Sequence, residues 1–299
     1  MSTDAAWEKW GQQDPYFGVI TSDKFRNAKL DESARSEFFE SGKWHMDYIW
    51  ASCRRYFAPD FAPRRVLDFG CGVGRLVVPM AALSEHVVGL DVSESMLREA
   101  RRNCDAVALC NVTLAKSDDA LTALLANSAG GKRFDLVHST IVFQHIPQDR
   151  GQQIFTRLLE CLAPGGIGAI QITYAKMAHS ETWGQVPEQA LTPVEPRAPE
   201  RRRGILDIFS SVSGAAPASG GMAQGKISLS PPVQVSALST VASDDMRSQQ
   251  GDPEMQMNSY NLNHLLFAMQ CSGITRFHTD FTDHGGELGV FLFFQKPPT

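Results

Sequence analysis

An α/β fold organised on a mostly parallel sheet is the architecture this sequence predicts, and three observations predict it. The first is the run VLDFGCGVGRL at 66–76, where an apolar strand ends in an acid and then in spaced glycines. The second is the alternation of short apolar strands with amphipathic helices from 65 to 173, the pattern of strands joined by crossover helices. The third is the ending. NSYNLNHLLFAMQCSG reads as a helix closed by Gly273, and TRFHTDFTDH and ELGVFLFFQK read as two strands around Gly285-Gly286.

The elements follow in order. Residues 1–62 precede the sheet and are dense in aromatic side chains, from Trp7 and Trp10 to Tyr56 and Phe57. They read as a helical segment, with one helix over 31–57 broken near Phe38 or Phe39, Gly42 and Trp44; its aromatics either pack on the sheet edge or cap the site, with Tyr16 and Phe17 the choices for a lid. Strand one is 65–69. Helix one spans 73–83, and Pro79 should kink or shorten it, because proline removes a backbone hydrogen bond. Strand two, 86–91, ends in Asp91. Its helix covers 94–103, with Ser93 as N-cap and Val92 and Leu97 as a hydrophobic staple. Strand three is 111–115, followed by Ser117-Asp118-Asp119, and strand four is 134–140, followed by IVFQHIP. An amphipathic helix over 152–163 stops at Ala163-Pro164-Gly165-Gly166, and strand five occupies 167–173.

Composition then changes. Residues 187–253 hold eight of the sixteen prolines amid Ser, Ala and Gly, which resists continuous helix or sheet. GILDIFSSV and GKISLSPPVQVSAL are its two candidate ordered pieces. The expected division is a cap at 1–62, an α/β core at 63–177, an insertion at 178–256 that is either a substrate lid or disordered, and a final helix and hairpin at 257–299.

The chemistry of the 66–76 run follows from its residue types. Gly70, Gly72 and Gly74 tolerate positive φ and carry no Cβ, so backbone amides can come close to a ligand. The helix that follows presents unpaired N–H groups with partial positive charge. Asp68 sits at the carboxyl end of its strand, where ligands bind in open α/β sheets. Asp91 ends the next strand, placed to accept hydrogen bonds from both hydroxyls of a ribose. The dinucleotide fingerprint G-x-G-x-x-G is the nearest rival, but the third glycine here stands one position early.

At Asp68-Phe69-Gly70-Cys71-Gly72-Val73-Gly74 and Asp91 the chain resembles the class I S-adenosylmethionine-dependent methyltransferases. LLECLAPGGIGAIQI is similar to that family's usual fifth-strand entry. The resemblance covers about 57–177 and 257–296. It implies a Rossmann-like seven-stranded sheet with a parallel sixth strand and an antiparallel last one, helices on both faces, and S-adenosyl-L-methionine as cofactor. It further implies a cofactor site of Asp68, Gly70, Cys71, Gly72, Gly74, Asp91, Val92, Met96, Asp118 and Ser139. Met96 would pack against adenine or simply fill the core. Asp118 would bond the adenine amino group or cap a helix.

On the acceptor side, His145 follows strand four on the expected ligand face and reads either as the first candidate general base or acceptor-binding residue, or as a histidine ordering the loop through a bond to a backbone carbonyl. His284, with Asp283 at the end of the sixth strand, is the second, while His138 on strand four reads as packing or bonding locally. Arg75 reads either as a partner for the cofactor's carboxylate or as a surface ion pair, and Arg197, Arg201, Arg202 and Arg203 as a solvated basic run or an anion lure. The net charge of −5 argues against a nucleic-acid partner, and no run approaches membrane-spanning length. Six cysteines without a CxxC pattern suggest reduced thiols, and the histidines and cysteines lack metal-ligand spacing. The expectation is a soluble, cytoplasmic enzyme that methylates a small hydroxylated acceptor. A non-catalytic cofactor-binding scaffold is the alternative, and a dehydrogenase a distant third.

Overall fold

The computed structural model describes residues 3–126, 133–176 and 251–298. The sheet has seven strands: β1 (Arg65–Phe69), β2 (His86–Asp91), β3 (Val112–Lys116), β4 (Phe134–Ser139), β5 (Leu162–Lys176), β6 (Arg276–His284) and β7 (Glu287–Gln295). Their spatial order is β3-β2-β1-β4-β5-β7-β6. The first five pair in parallel, and β7 lies antiparallel between β5 and β6. The chain therefore runs the same way in β6 as in the first five. Strand order reverses between β1 and β4, and a crevice opens there at the carboxyl ends of the strands.

The helices are α1 (Thr3–Gln13), α2 (Pro15–Val19), α3 (Glu32–Tyr56), α4 (Val77–Leu83), α5 (Glu94–Ala106), α6 (Thr122–Ala126), α7 (Gln148–Cys161) and α8 (Leu262–Cys271). Side chains alternate across the pleat and so supply two cores. Val66, Leu136 and Ala169 face Met46, Ile49, Trp50 and Met80 on one side. Leu67, Val137 and Ile170 face Phe155, Leu158, Leu265 and Tyr260 on the other. Among the described residues no helix is long and apolar enough to cross a membrane.

Several expectations need correction. No break interrupts α3, which is continuous over 25 residues. Phe38, Gly42, His45, Ile49 and Cys53 recur at helical spacing on its buried face. Gly42 is there because a Cβ would meet the Arg75 carbonyl oxygen at 2.4 Å. Pro79 does not kink its helix. The loop after Gly74 delays the start of α4 to Val77, so Pro79 is the third residue, where the N–H has no intrahelical partner to lose. The helix is short instead. α7 starts at Gln148, earlier than expected, and β5 begins at Leu162, so Pro164-Gly165 lies inside a strand as an irregularity. Gly165 has φ 77° and donates its N–H to Lys296 O. The readings of 178–250, including GILDIFSSV, GKISLSPPVQVSAL and the four arginines, fall outside the described residues.

The cap is fastened to the core by charge. Glu8 of α1 accepts from Ser95 N, Ser95 Oγ and Ser93 Oγ at the start of α5. Burial alone would push its carboxyl up, but these donors outweigh burial and hold it at about 2. Arg150 of α7 binds Asp4 through both terminal nitrogens and Asp119 through Nε. These ties set α1 across the mouth of the crevice.

Candidate functional site

The crevice is a cavity at the carboxyl ends of β1, β2 and β4, roofed by α1 and α2. Its floor is the glycine loop, which is pulled back onto β2 by hydrogen bonds from Gly70 N and Cys71 N to Leu90 O at 2.7 and 2.9 Å. Gly70, Gly72 and Gly74 all have positive φ (77°, 51° and 83°). A Cβ on Gly70 would lie 2.3 Å from Val142, and one on Gly72 would lie 2.7 Å from Val19 of the roof. The loop thus needs glycine for conformation and for closeness at once.

Asp91 stands at the end of β2 with Oδ2 on Gly72 N (2.8 Å) and Oδ1 on Ser93 N (2.9 Å). Burial pushes its carboxyl up to about 6; the two amides pull the other way, and Asp68 and Glu8 add to the rise. Asp68 lines the same cavity, with Oδ1 on His138 Nδ1 at 2.8 Å. Arg75 also lines it and is 7% exposed. Its Nη1 reaches Ser41 Oγ at 3.3 Å and its Nε has no partner. Desolvation draws the Arg75 guanidinium down to about 10, which leaves it charged at neutral pH, with Asp68 supporting the charge. A buried cation with unused donors and a buried carboxylate therefore share one wall, while Met96, Val92 and Leu90 give another part of the cavity an apolar lining.

Residues 66–166 match the family model described as a methyltransferase domain. That stretch is similar to methyltransferase domains and makes up about a third of the chain. A ubiquinone biosynthesis O-methyltransferase from Roseobacter denitrificans is 33% identical over 162 residues, covering 49% of this chain and 62% of the relative. A trans-aconitate 2-methyltransferase from an Acidovorax species is 34% identical over 114 residues, covering 37% and 39%. The chain thus spans less than two thirds of these relatives. Two solved structures share the fold. Magnesium protoporphyrin IX methyltransferase from Synechocystis PCC 6803 has a TM-score of 0.50 at 15% identity, covering 93% of this chain and 99% of that one. The N-methyltransferase NodS from Bradyrhizobium japonicum WM9 has a TM-score of 0.50 at 10% identity, covering 99% and 100%.

Most of the residues expected in the site line the cavity: Asp68, Gly70, Cys71, Gly72, Asp91, Val92, Met96, Asp118 and His145. Gly74 lies behind the loop, where an added Cβ would touch Ala100 of α5 at 3.4 Å. Cys71 is fully packed and burial raises its thiol well above the usual range, so it fills space. Asp118 reaches the cavity, but its carboxylate accepts from Thr122 N at 2.8 Å and from the Thr122 hydroxyl, which is the helix-capping alternative. Ser139 is a correction. It points back into the sheet, donates to Phe69 O at 2.9 Å and does not line the cavity; Thr140, Ile141 and Val142 do.

His284 is also a correction. It ends the outermost strand, β6, two places beyond β5, and is not among the cavity residues, although it acts electrostatically on His45 behind the cavity wall. His145 lines the cavity beside Trp7, with ring centroids 4.8 Å apart, and its Nδ1 contacts Gln256 O at 2.8 Å. Burial brings this imidazole down to about 4, against the pull of the Gln256 carbonyl. It is neutral at physiological pH, with Nδ1–H donating and Nε2 as an acceptor facing the Gln144 amide nitrogen at 3.5 Å.

The roof residues also differ from expectation. Tyr16 and Phe17 face inward: the Tyr16 hydroxyl bonds Glu99 and Asn103, and Phe17 stacks under Arg26. Trp7, Gly18 and Val19 cover the cavity instead. One group escaped sequence reasoning, and another was read without its partner, despite a usable signal. His138 in FDLVHST and Gln171 in IGAIQIT are polar residues inside strands that must be buried on both faces. Gln171 Oε1 accepts from the backbone N–H of Ile141, which has φ 55°, a costly conformation for a β-branched residue, on the cavity wall.

Asp91 gives this site a pH dependence. Hydroxyl donors from a bound ribose would favour the carboxylate, so the bound pKa lies below the free value of about 6. Cofactor affinity should then be flat above about pH 6 and fall as pH drops below it. Calorimetry across about pH 5 to pH 8 checks this; constant affinity down to the lower limit would contradict the role.

Proposed function

We propose that this chain transfers a methyl group from S-adenosyl-L-methionine to a hydroxyl of a small acceptor, such as a sugar or secondary metabolite. The observation that carries the reading is the placement of three charges in one cavity. Asp91 is set for the ribose hydroxyls, Asp68 for the cofactor's ammonium, and Arg75, with its unpartnered Nε, for the carboxylate. Met96 and Val92 supply an apolar surface for adenine. When bound, the cofactor supplies an electrophilic methyl on a sulfonium. The protein's task is alignment and exclusion of water. Trp7 and Val19 close the cavity from above, and the Thr140–Val142 turn borders it beside Gly70.

The hydroxyl preference draws support from the O-methyltransferase relative and from His145. Its Nε2 faces the Gln144 amide nitrogen at 3.5 Å, a long contact that an acceptor hydroxyl would displace to hand over its proton, and Trp7 and the Gln256 carbonyl hold the ring in place. A screen of small hydroxylated acceptors, scored by release of S-adenosylhomocysteine, tests the activity. Cofactor binding without turnover on any acceptor would favour the non-catalytic scaffold. With an acceptor in hand, His145→Ala should lower kcat by about a hundredfold while leaving cofactor affinity within about threefold. Equal losses in both quantities would remove the proton-accepting role.

A further inference from the structure

Behind the charged wall of the cavity runs a buried polar chain that no part of the glycine loop accounts for. Asp68 Oδ1 contacts His138 Nδ1 at 2.8 Å, and His138 Nε2 faces His45 Nε2 at 3.1 Å. All three side chains are buried, and neither histidine lines the cavity. Each contact needs one donor and one acceptor. His138 donates Nδ1–H to the carboxylate, which leaves its Nε2 as acceptor, and His45 then donates from its own Nε2. The hydrogen bonds therefore point one way, from α3 through β4 to β1, each polarising the next. His45 acts as a neutral donor. For His45, burial drives the imidazole well below its usual range, and His138, Arg75 and His284 push in the same direction.

The chain fixes one oxygen of Asp68 and leaves the other unused. Among the described residues no hydrogen bond reaches Asp68 Oδ2, although Asp68 lines the cavity. The same turn of α3 also sets Arg75. Ser41 Oγ takes its Nη1, and the bare Cα of Gly42 lets the Arg75 carbonyl approach closely. One helix of the cap thus holds both the carboxylate and the guanidinium that would meet a zwitterionic ligand end.

We infer that His138 and His45 are positioning residues for the amino-acid end of the cofactor. Their hydrogen-bond chain anchors one oxygen of Asp68 and turns the other toward the ligand's ammonium group. This rests on the reading above that S-adenosyl-L-methionine occupies the cavity. A merely structural role would affect every adenosyl ligand alike. A positioning role affects only those that carry the ammonium.

Calorimetry on the full chain with two ligands separates the cases: S-adenosylhomocysteine, and 5′-methylthioadenosine, which lacks the amino-acid end. His138→Leu should weaken S-adenosylhomocysteine by about tenfold or more and leave 5′-methylthioadenosine within about twofold. His138→Asn, whose side-chain amide can still donate to Asp68, should recover most of that loss. His45→Leu removes only the outer link and should show the same selectivity at smaller amplitude. Unchanged affinity for S-adenosylhomocysteine in His138→Leu, or equal weakening of both ligands, overturns the inference. Should His138→Leu fail to fold, His45→Leu decides, and the absence of a selective loss there is equally fatal. If the unmutated chain binds neither ligand, the cofactor reading itself falls and takes the inference with it.

Discussion

Replacing Asp91 by alanine is expected to weaken S-adenosylhomocysteine binding by about a hundredfold, while the protein stays folded. A hydrogen bond to a charged group contributes about 1.5–3 kcal/mol, and the proposed role gives Asp91 two ribose hydroxyls. Losing about 3 kcal/mol corresponds to roughly two orders of magnitude in affinity. The fold should tolerate the change because the carboxylate is itself poorly accommodated, with burial raising its pKa to about 6. What alanine leaves behind is two amides, Gly72 N and Ser93 N, at the rim of a cavity that water can enter. Asp91→Asn keeps a carbonyl acceptor and should fall between the two. Calorimetry with a parallel thermal melt checks both halves. Undiminished affinity in Asp91→Ala would remove the ribose assignment.

Gly70→Ala should be the more damaging change to the molecule as a whole. The residue has φ 77°, and its added methyl would lie 2.3 Å from one Val142 methyl and 2.8 Å from the other. Valine is stiff about χ1 and cannot turn both methyls away, so the overlap must be relieved through the backbone of the Thr140–Val142 turn. Overpacking of this kind costs about 1–3 kcal/mol, and the left-handed conformation adds about 1 kcal/mol more. Because both displaced segments line the cavity, cofactor affinity should fall at least about tenfold alongside a lowered Tm. A variant with native Tm and native affinity would show that the loop does not need glycine at this position.

How much of this was legible beforehand depends on the range of the forces involved. β1 and β2 end where the sequence places their ends, because Gly70, with φ 77°, turns the chain after Phe69 and Asp91 closes β2. Ser93 caps α5 as its residue type and position indicate, accepting from Met96 N at 3.1 Å. The parallel sixth strand and antiparallel seventh also stand as the resemblance implies. What failed was settled by contacts distant in sequence. Gly42 looked like a helix breaker until Arg75, on another element, explained its missing side chain. Tyr16 and Phe17 looked like lid residues, yet a short helix has two faces, and Glu99, Asn103 and Arg26 took the aromatic one. Ser139 and His284 each sit near a strand end. Only the direction of the side chain, or the place of the strand in the sheet, removes them from the cavity. His138 was read as packing or bonding locally, with no partner named, although a histidine inside an apolar strand requires one. That partner proved to be Asp68.

The most direct test of the central claim is calorimetry of the unmutated full chain, titrated in separate runs with S-adenosylhomocysteine and with NAD. The account predicts saturable one-to-one binding of S-adenosylhomocysteine and none of NAD over the same range. Binding of NAD alone, or of neither compound by a folded protein, would contradict it.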